Sequence, residues 1–256
     1  MEFDERQYEN NYLHSVIFRL DYSPILLLDE QLKPDFQEAI RQEFPKLDVE
    51  MQNVVELKVD FKNKKKSVEI IKTYKVWHFL NKEKSYKINI CNNFFSIECF
   101  KYKHFEGFAE IAKHVFSTFY LYYKPLDCKR LGLRYINKII IREGHSLEWS
   151  DYIAVPLVYS IENFIGGRSE LSRAMSQFTL NRGDYNLIVN FGISNDEYPS
   201  RISRKEFILD YDCYTQDVEE NSVEEKINKF HAEIQQLFEY SITEKLRNIM
   251  EIKHAK

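Results

Sequence analysis

Two long amphipathic stripes, each at the end of a run of β-prone segments, constrain this chain more than any other feature. From Phe105 to Tyr123 the residues Phe108, Ile111, Val115, Phe119 and Tyr122 recur at helical spacing, with Pro125 just beyond. Near the C-terminus Val223, Ile227, Phe230, Ile234, Leu237, Phe238, Ile242, Leu246 and Ile249 do the same. Ser222-Val223-Glu224-Glu225 reads as the capping box that opens this second helix. A stripe of that length cannot be left in water, and the nearest apolar surface is the sheet made by the strands before it. The expected class is therefore α+β, with sheets backed by long helices.

The segments before each helix correspond. Tyr12–Tyr22 reads as a strand and Asp29–Phe44 as a helix stopped by Pro45. Val54–Phe61, Ser67–Leu80, Tyr86–Cys91 and Phe94–Phe100 then read as strands separated by polar turns. The second half offers a strand at Arg130–Ile141, a helix or irregular crossing at Trp149–Phe164, and strands at Leu171–Asn181, Tyr185–Phe191 and Lys205–Tyr214. Val16–Leu20 answers to Leu131–Tyr135, Phe79–Lys82 to Thr179–Arg182, and Tyr86–Ile90 to Tyr185–Val189, in one common order. This predicts an internal duplication: a sheet-and-helix unit over 1–125 and a second over 126–256, packed as one body. Each sheet would keep one face free. Set edge to edge, the two would form one curved sheet, as in TATA-binding-protein-like folds; wrapped further, they would form a barrel.

Composition narrows the function classes. The chain of 256 residues is 44% hydrophobic and 15% aromatic, with only 7 Gly and 6 Pro, which excludes low-complexity architectures. A net charge of -4 favours neither nucleic acid nor acidic membranes overall. No apolar run approaches the roughly 18 residues of a membrane-spanning helix, and Met1–Asn11 is acidic where a secretion signal would be basic and then apolar. The expected compartment is the cytoplasm. Cys91, Cys99, Cys128 and Cys213 lack paired spacing and read as reduced, buried small hydrophobes.

The segment Arg130-Leu131-Gly132-Leu133-Arg134-Tyr135-Ile136-Asn137 resembles a sporadically distributed family of uncharacterised bacterial proteins of about this length, which carries an Arg-x-Gly-Leu-Arg-Tyr-Ile-Asn block mid-chain. The resemblance runs from about Tyr12 to the C-terminal helix, with Trp77 and Phe79 as a weaker landmark. Tyr12-Leu13-His14 stands where such proteins often have a Pro-Pro pair. The resemblance implies no activity. The patchy distribution of such proteins implies an accessory, partner-binding role in a defence or toxin-control setting.

Read from its residues alone, the block is a strand with Arg130, Gly132, Arg134 and Ile136 on one side and Leu131, Leu133, Tyr135 and Asn137 on the other. A glycine between two arginines leaves room for their guanidinium groups. Arg130, Arg134 and Asn137 are thus candidate ligand or interface residues, forming either an anion clamp or, as the preferred reading, ion pairs bridging the two repeats. Seven histidines are scattered without ligand spacing, no C-x-x-C occurs, and neither phosphate-loop pattern nor a G-x-S-x-G elbow is present. Tunnel-type triphosphate enzymes alternate Glu-x-Glu-x-Lys on a strand; Glu56-Leu57-Lys58 is one carboxylate short. Arg182-Gly183-Asp184 reads as a hairpin turn. No cofactor or metal is expected.

One regional charge stands out. Met51–Lys103 holds twelve lysines against Glu56, Asp60, Glu69, Glu83 and Glu98, interleaved with Tyr74, Trp77, Phe79, Tyr86 and Tyr102. A basic, aromatic sheet can hold single-stranded nucleic acid, with Lys64, Lys65, Lys66, Lys82, Lys84 and Lys87 as contacts. The same lysines also serve as ordinary solubilising charge. The acidic stretch Asp210–Glu225 reads as a solvated loop and helix N-terminal charge. The leading expectation is a non-enzymatic interaction protein that binds a protein partner. The alternative is a nucleic-acid module built on residues 51–103, and a homo-oligomer stays open.

Overall fold

The computed structural model describes residues 6–60, 65–164, 166–216, 218–219 and 222–253; for 54–60, 65–72 and 168 it describes the backbone alone. Alternating apolar runs form the strands β1 (Leu13–Tyr22), β2 (Lys46–Asp60), β3 (Lys65–Leu80), β4 (Tyr86–Ile90), β5 (Phe94–Cys99), β6 (Cys128–Ile140), β7 (Ala174–Asn181), β8 (Asn186–Ile193) and β9 (Glu206–Thr215). They pair antiparallel in a 9-stranded sheet of order β2-β3-β4-β5-β1-β6-β9-β8-β7. The helices are α1 (Leu27–Glu30), α2 (Pro34–Ile40), α3 (Phe105–Tyr123), α4 (Val155–Glu162), α5 (Val223–Ser241) and α6 (Glu244–Met250). The expected α+β class with antiparallel sheet is what forms. The order is open at β2 and β7, so the closed-barrel alternative is not realised among the described residues.

The two parts of the chain meet in the β1–β6 ladder, where Phe18 stands opposite Leu133 and Leu20 opposite Leu131. Outward from that pair the order reads β5, β4, β3, β2 on one side and β9, β8, β7 on the other. The helices gather on one face. Phe116 of α3 packs edge-on to Phe18, Phe119 stacks on Phe95 at 4.6 Å, and Phe36 of α2 lies against both Phe79 and Phe119. Over the other part, Phe230 of α5 meets Tyr185, and Trp149, in the segment leading to α4, meets Phe207. Each fully buried ring of this kind contributes roughly 1.5–3 kcal/mol by leaving water. The helices α3 and α5 run antiparallel, joined by the Phe105–His231 stack at 3.8 Å and the Lys113–Glu224 ion pair.

Four expectations change. The strand expected over Val54–Phe61 begins already at Lys46, and Phe61 lies outside the described residues. The helix expected over Asp29–Phe44 is two pieces, α1 and α2, because Pro34 cannot continue a helix and instead starts the second. The capping box does not form: Ser222 has helical torsions, and its hydroxyl donates to the Glu219 carbonyl. The C-terminal helix breaks at Ile242, which is extended and bridges to Ile153; Thr243 then caps α6 by accepting from the Leu246 amide. The hairpin reading of Arg182-Gly183-Asp184 holds, with Gly183 at φ +91 between β7 and β8. The cysteines are free, and Cys91, Cys99 and Cys213 are buried. None of the described helices is long and apolar enough to cross a membrane.

Candidate functional site

Strand alternation decides what the face away from the helices carries. With Val16, Phe18, Leu20 and Tyr22 turned to the core, β1 presents Ile17, Arg19 and Asp21 on the other side. In register with them stand Arg130, Gly132, Arg134, Ile136 and Lys138 of β6, then Asp210, Asp212 and Tyr214 of β9. On the opposite flank come Phe94, Ser96 and Glu98 of β5, then Lys87 and Asn89 of β4.

The arginines are spoken for. Arg134 donates from Nε and Nη2 to the two carboxylate oxygens of Asp210, both at 2.7 Å, and Asn190 donates to the same carboxylate at 3.1 Å. Arg130 donates from one nitrogen to both Asp212 oxygens at 2.7 and 2.8 Å, and its guanidinium lies 4.7 Å above the Tyr214 ring. Gly132 makes that possible, since a Cβ there would sit 2.7 Å from the Arg130 Nη1. On β1, Arg19 pairs with Asp21 and lies 4.1 Å over Phe94. The ion-pair reading of Arg130 and Arg134 therefore describes the geometry, with one correction. The close pairs tie β6 to β9 within the second half; only the 4.0 Å Arg130–Asp21 approach spans the two halves.

Electrostatics follow burial. The Asp210 carboxylate holds the Arg134 guanidinium above its ordinary pKa, against the opposing effect of burial. Burial raises the Asp212 pKa, outweighing the pull of Arg130 and Arg134. Further out, His78 Nδ1 lies 2.7 Å from Asn89 Oδ1 and its Nε2 lies 3.0 Å from Glu50, while Asn89 donates to Ser96. A chain of hydrogen bonds thus crosses β2, β3, β4 and β5 on this face. At the β9 end, Lys138 joins Asp196 and Glu206.

Asn137 is not part of this cluster. It is buried on the helix-side face, donates to the Leu209 carbonyl, and lines a small chamber of about 70 Å³ with Tyr102, Tyr135, His231 and Glu239. Tyr135 and His231 are hydrogen-bonded at 2.8 Å beside it. The basic residues also separate. Lys64 lies outside the described residues, and Lys65 and Lys66 take register positions opposite Asp60 and Val59. Lys82 and Lys84 sit in the β3–β4 turn, and Lys87 faces Glu98 on the bare face. Phe79 is core, and Trp77 is held by a hydrogen bond from its indole to the Leu28 carbonyl.

The sequence reading missed Asp210 and Asp212, which it placed in a solvated acidic stretch. They are strand residues two apart on β9, matching arginines across the ladder, and that spacing within a β-prone run was the available signal. Among the described residues no group of His, Cys, Asp and Glu is placed to hold a metal ion. No family model, curated protein or solved structure matches the chain.

Proposed function

We propose that this protein is a non-enzymatic interaction module whose bare sheet face holds a protein partner, in a bacterial defence or toxin-control setting. The observation that carries this reading is the make-up of that face. Arg19, Lys87, Arg130, Arg134 and Lys138 are answered on the same face by Asp21, Glu98, Glu206, Asp210 and Asp212, with Phe94, Tyr214, Ile17, Ile136 and Ile188 among them. Guanidinium groups lying on aromatic rings between matched charges resemble the anchor chemistry of protein interfaces. A nucleic-acid surface would instead carry unmatched positive charge along a phosphate track. The lysines of 51–103 that support the alternative are divided between the β2–β3 hairpin, a turn and the bare face, which favours the protein partner.

We also propose that the chain arose by duplication and fusion of a unit ending near residue 125, giving a TATA-binding-protein-like sheet. Strand order on either side of the β1–β6 pair supports this.

The test is capture from the native host with the full chain. Ile17→Glu combined with Ile188→Glu places charge in the middle of the bare face; Leu121→Glu does so on the helix side, where Leu121 is 66% exposed. The proposal expects one partner to be lost with the first variant and kept with the second. Equal retention, or tight oligonucleotide binding that collapses with salt, overturns it.

A further inference from the structure

The outer strand β2 is long, and nothing described covers its edge. Each of residues 45–53 is exposed, with Leu47 at 39%, Val49 at 42% and Met51 at 57%. Its inner edge pairs with β3 from Lys46↔Leu80 to Asp60↔Lys65. The one register shift, between Val54 and Val55, leaves the extra residue in β3, so β2 keeps an unbroken period of two. Leu47, Val49, Met51, Val55, Leu57 and Val59 therefore fall at alternate positions, and Lys46, Asp48, Glu50, Glu56, Lys58 and Asp60 at the others. An exposed edge of this length is a template for another strand, and natural sheets blunt such edges unless they are used.

We infer that β2 pairs antiparallel with β2 of a second copy, about a two-fold axis at Asn53, joining two sheets into one. This register overlaps the two strands over their whole length and matches two pairs of opposite charges against one like-charged pair. Lys46 then stands opposite the partner's Asp60 and Asp48 opposite the partner's Lys58. Leu47, Val49 and Met51 take register positions opposite the partner's Val59, Leu57 and Val55. The one like-charged pair sets Glu50 against the partner's Glu56, and Glu50 already holds His78. A slip of one pleat is worse in either direction. Centred on Gln52 it opposes Lys46 to the partner's Lys58 and Asp48 to the partner's Glu56; centred on Val54 it opposes Asp48 to the partner's Asp60 and matches only Glu50 with the partner's Lys58. An odd slip sets the apolar face of one copy beside the charged face of the other. The opposite edge, β7, has no charged residue and carries no such code.

The interface spans about 50 Å of strand and satisfies the outward backbone groups of both copies. Its test is sedimentation equilibrium on the full chain, comparing Asp48→Lys, Lys58→Asp and the double variant. The wild type is expected to be a dimer. Each single swap, felt twice by symmetry, weakens dimerisation roughly tenfold, and the double swap restores it. Met51→Lys, which leaves the charge pairs alone, also dissociates the dimer with an unchanged circular dichroism spectrum. A monomer at all concentrations overturns the inference, as does a dimer indifferent to these changes or a double swap without rescue.

Discussion

Removing either side of the Arg134–Asp210 pair breaks the same two hydrogen bonds, yet the two losses should differ. The Asp210 side chain is only 8% accessible, whereas that of Arg134 is 41% accessible. Arg134→Ala strands a buried carboxylate with Asn190 as its remaining side-chain donor, and removing one partner of a buried pair costs about 3–5 kcal/mol. The Asn190 bond places the expected value at the low end, about 3 kcal/mol. Asp210→Ala leaves a guanidinium that can turn into water, so its cost falls to about 1–2 kcal/mol. In a chain of this size the difference corresponds to a gap of roughly 3–6 °C in melting temperature. Urea denaturation followed by tryptophan fluorescence reports it well, since Trp149 is fully buried and sits against Phe207 at the foot of β9. A double variant should cost less than the sum of the two singles, because the second change removes an already orphaned group. If Asp210→Ala is the more damaging of the pair, the accessibility argument is wrong.

Three further outcomes follow from packing and burial. Gly192 has φ +133, and a Cβ there would collide with the Ala174 backbone carbonyl, so Gly192→Ala should cost at least about 2 kcal/mol in denaturant titrations. Phe119 is wholly buried among Tyr22, Phe36, Phe95 and Tyr123, and Phe119→Ala should lose about 3–5 kcal/mol in the same assay. Because burial raises Asp212 above its unfolded pKa, its protonated form binds better in the folded state. Wild type should therefore lose stability relative to Asp212→Asn as pH rises from about 4 through that raised pKa. A flat difference between the two across that range would show that Arg130 cancels the burial.

Period and stopping signals made the elements readable, and tertiary contacts explain where reading stopped. The helix α3 lies where its stripe and Pro125 placed it, and the His104 side chain that caps it was not read from the sequence. The C-terminal stripe was equally clear, but its break at Ile242 depends on a bridge to Ile153, far away in sequence. The Tyr86/Tyr185 correspondence marks the starts of β4 and β8 closely. The Phe79/Thr179 correspondence is one position out: Phe79 pairs with Ile88 and Leu180 with Leu187, so Leu180 takes the place of Phe79. Of the site, the arginines were legible as a strand-borne pair with glycine between them. Asn137 was grouped with them, although parity already placed it on the other side. The aspartates were readable as alternate residues of a strand, but which residues they pair with was not, because pairing across β6 and β9 is non-local information.

The satisfied state of the bare face bears on how a partner could be recognised. Arg130, Arg134 and Arg19 each already hold a carboxylate, so a partner gains little by offering another. Displacing Asp210, nearly inaccessible beneath Arg134, would cost more than a surface ion pair returns. What the face offers instead is guanidinium groups held over the rings of Phe94 and Tyr214, with apolar Ile17, Ile136 and Ile188 among them. A partner meeting these surfaces would bury apolar and π area over a preorganised frame, and its affinity would depend weakly on salt. Binding by steering charges would fall steeply with ionic strength, as phosphate recognition does. Titrating the captured partner between low and physiological salt therefore separates the two modes: a slope near zero fits the matched face, and a steep one requires cations that this face has already committed elsewhere.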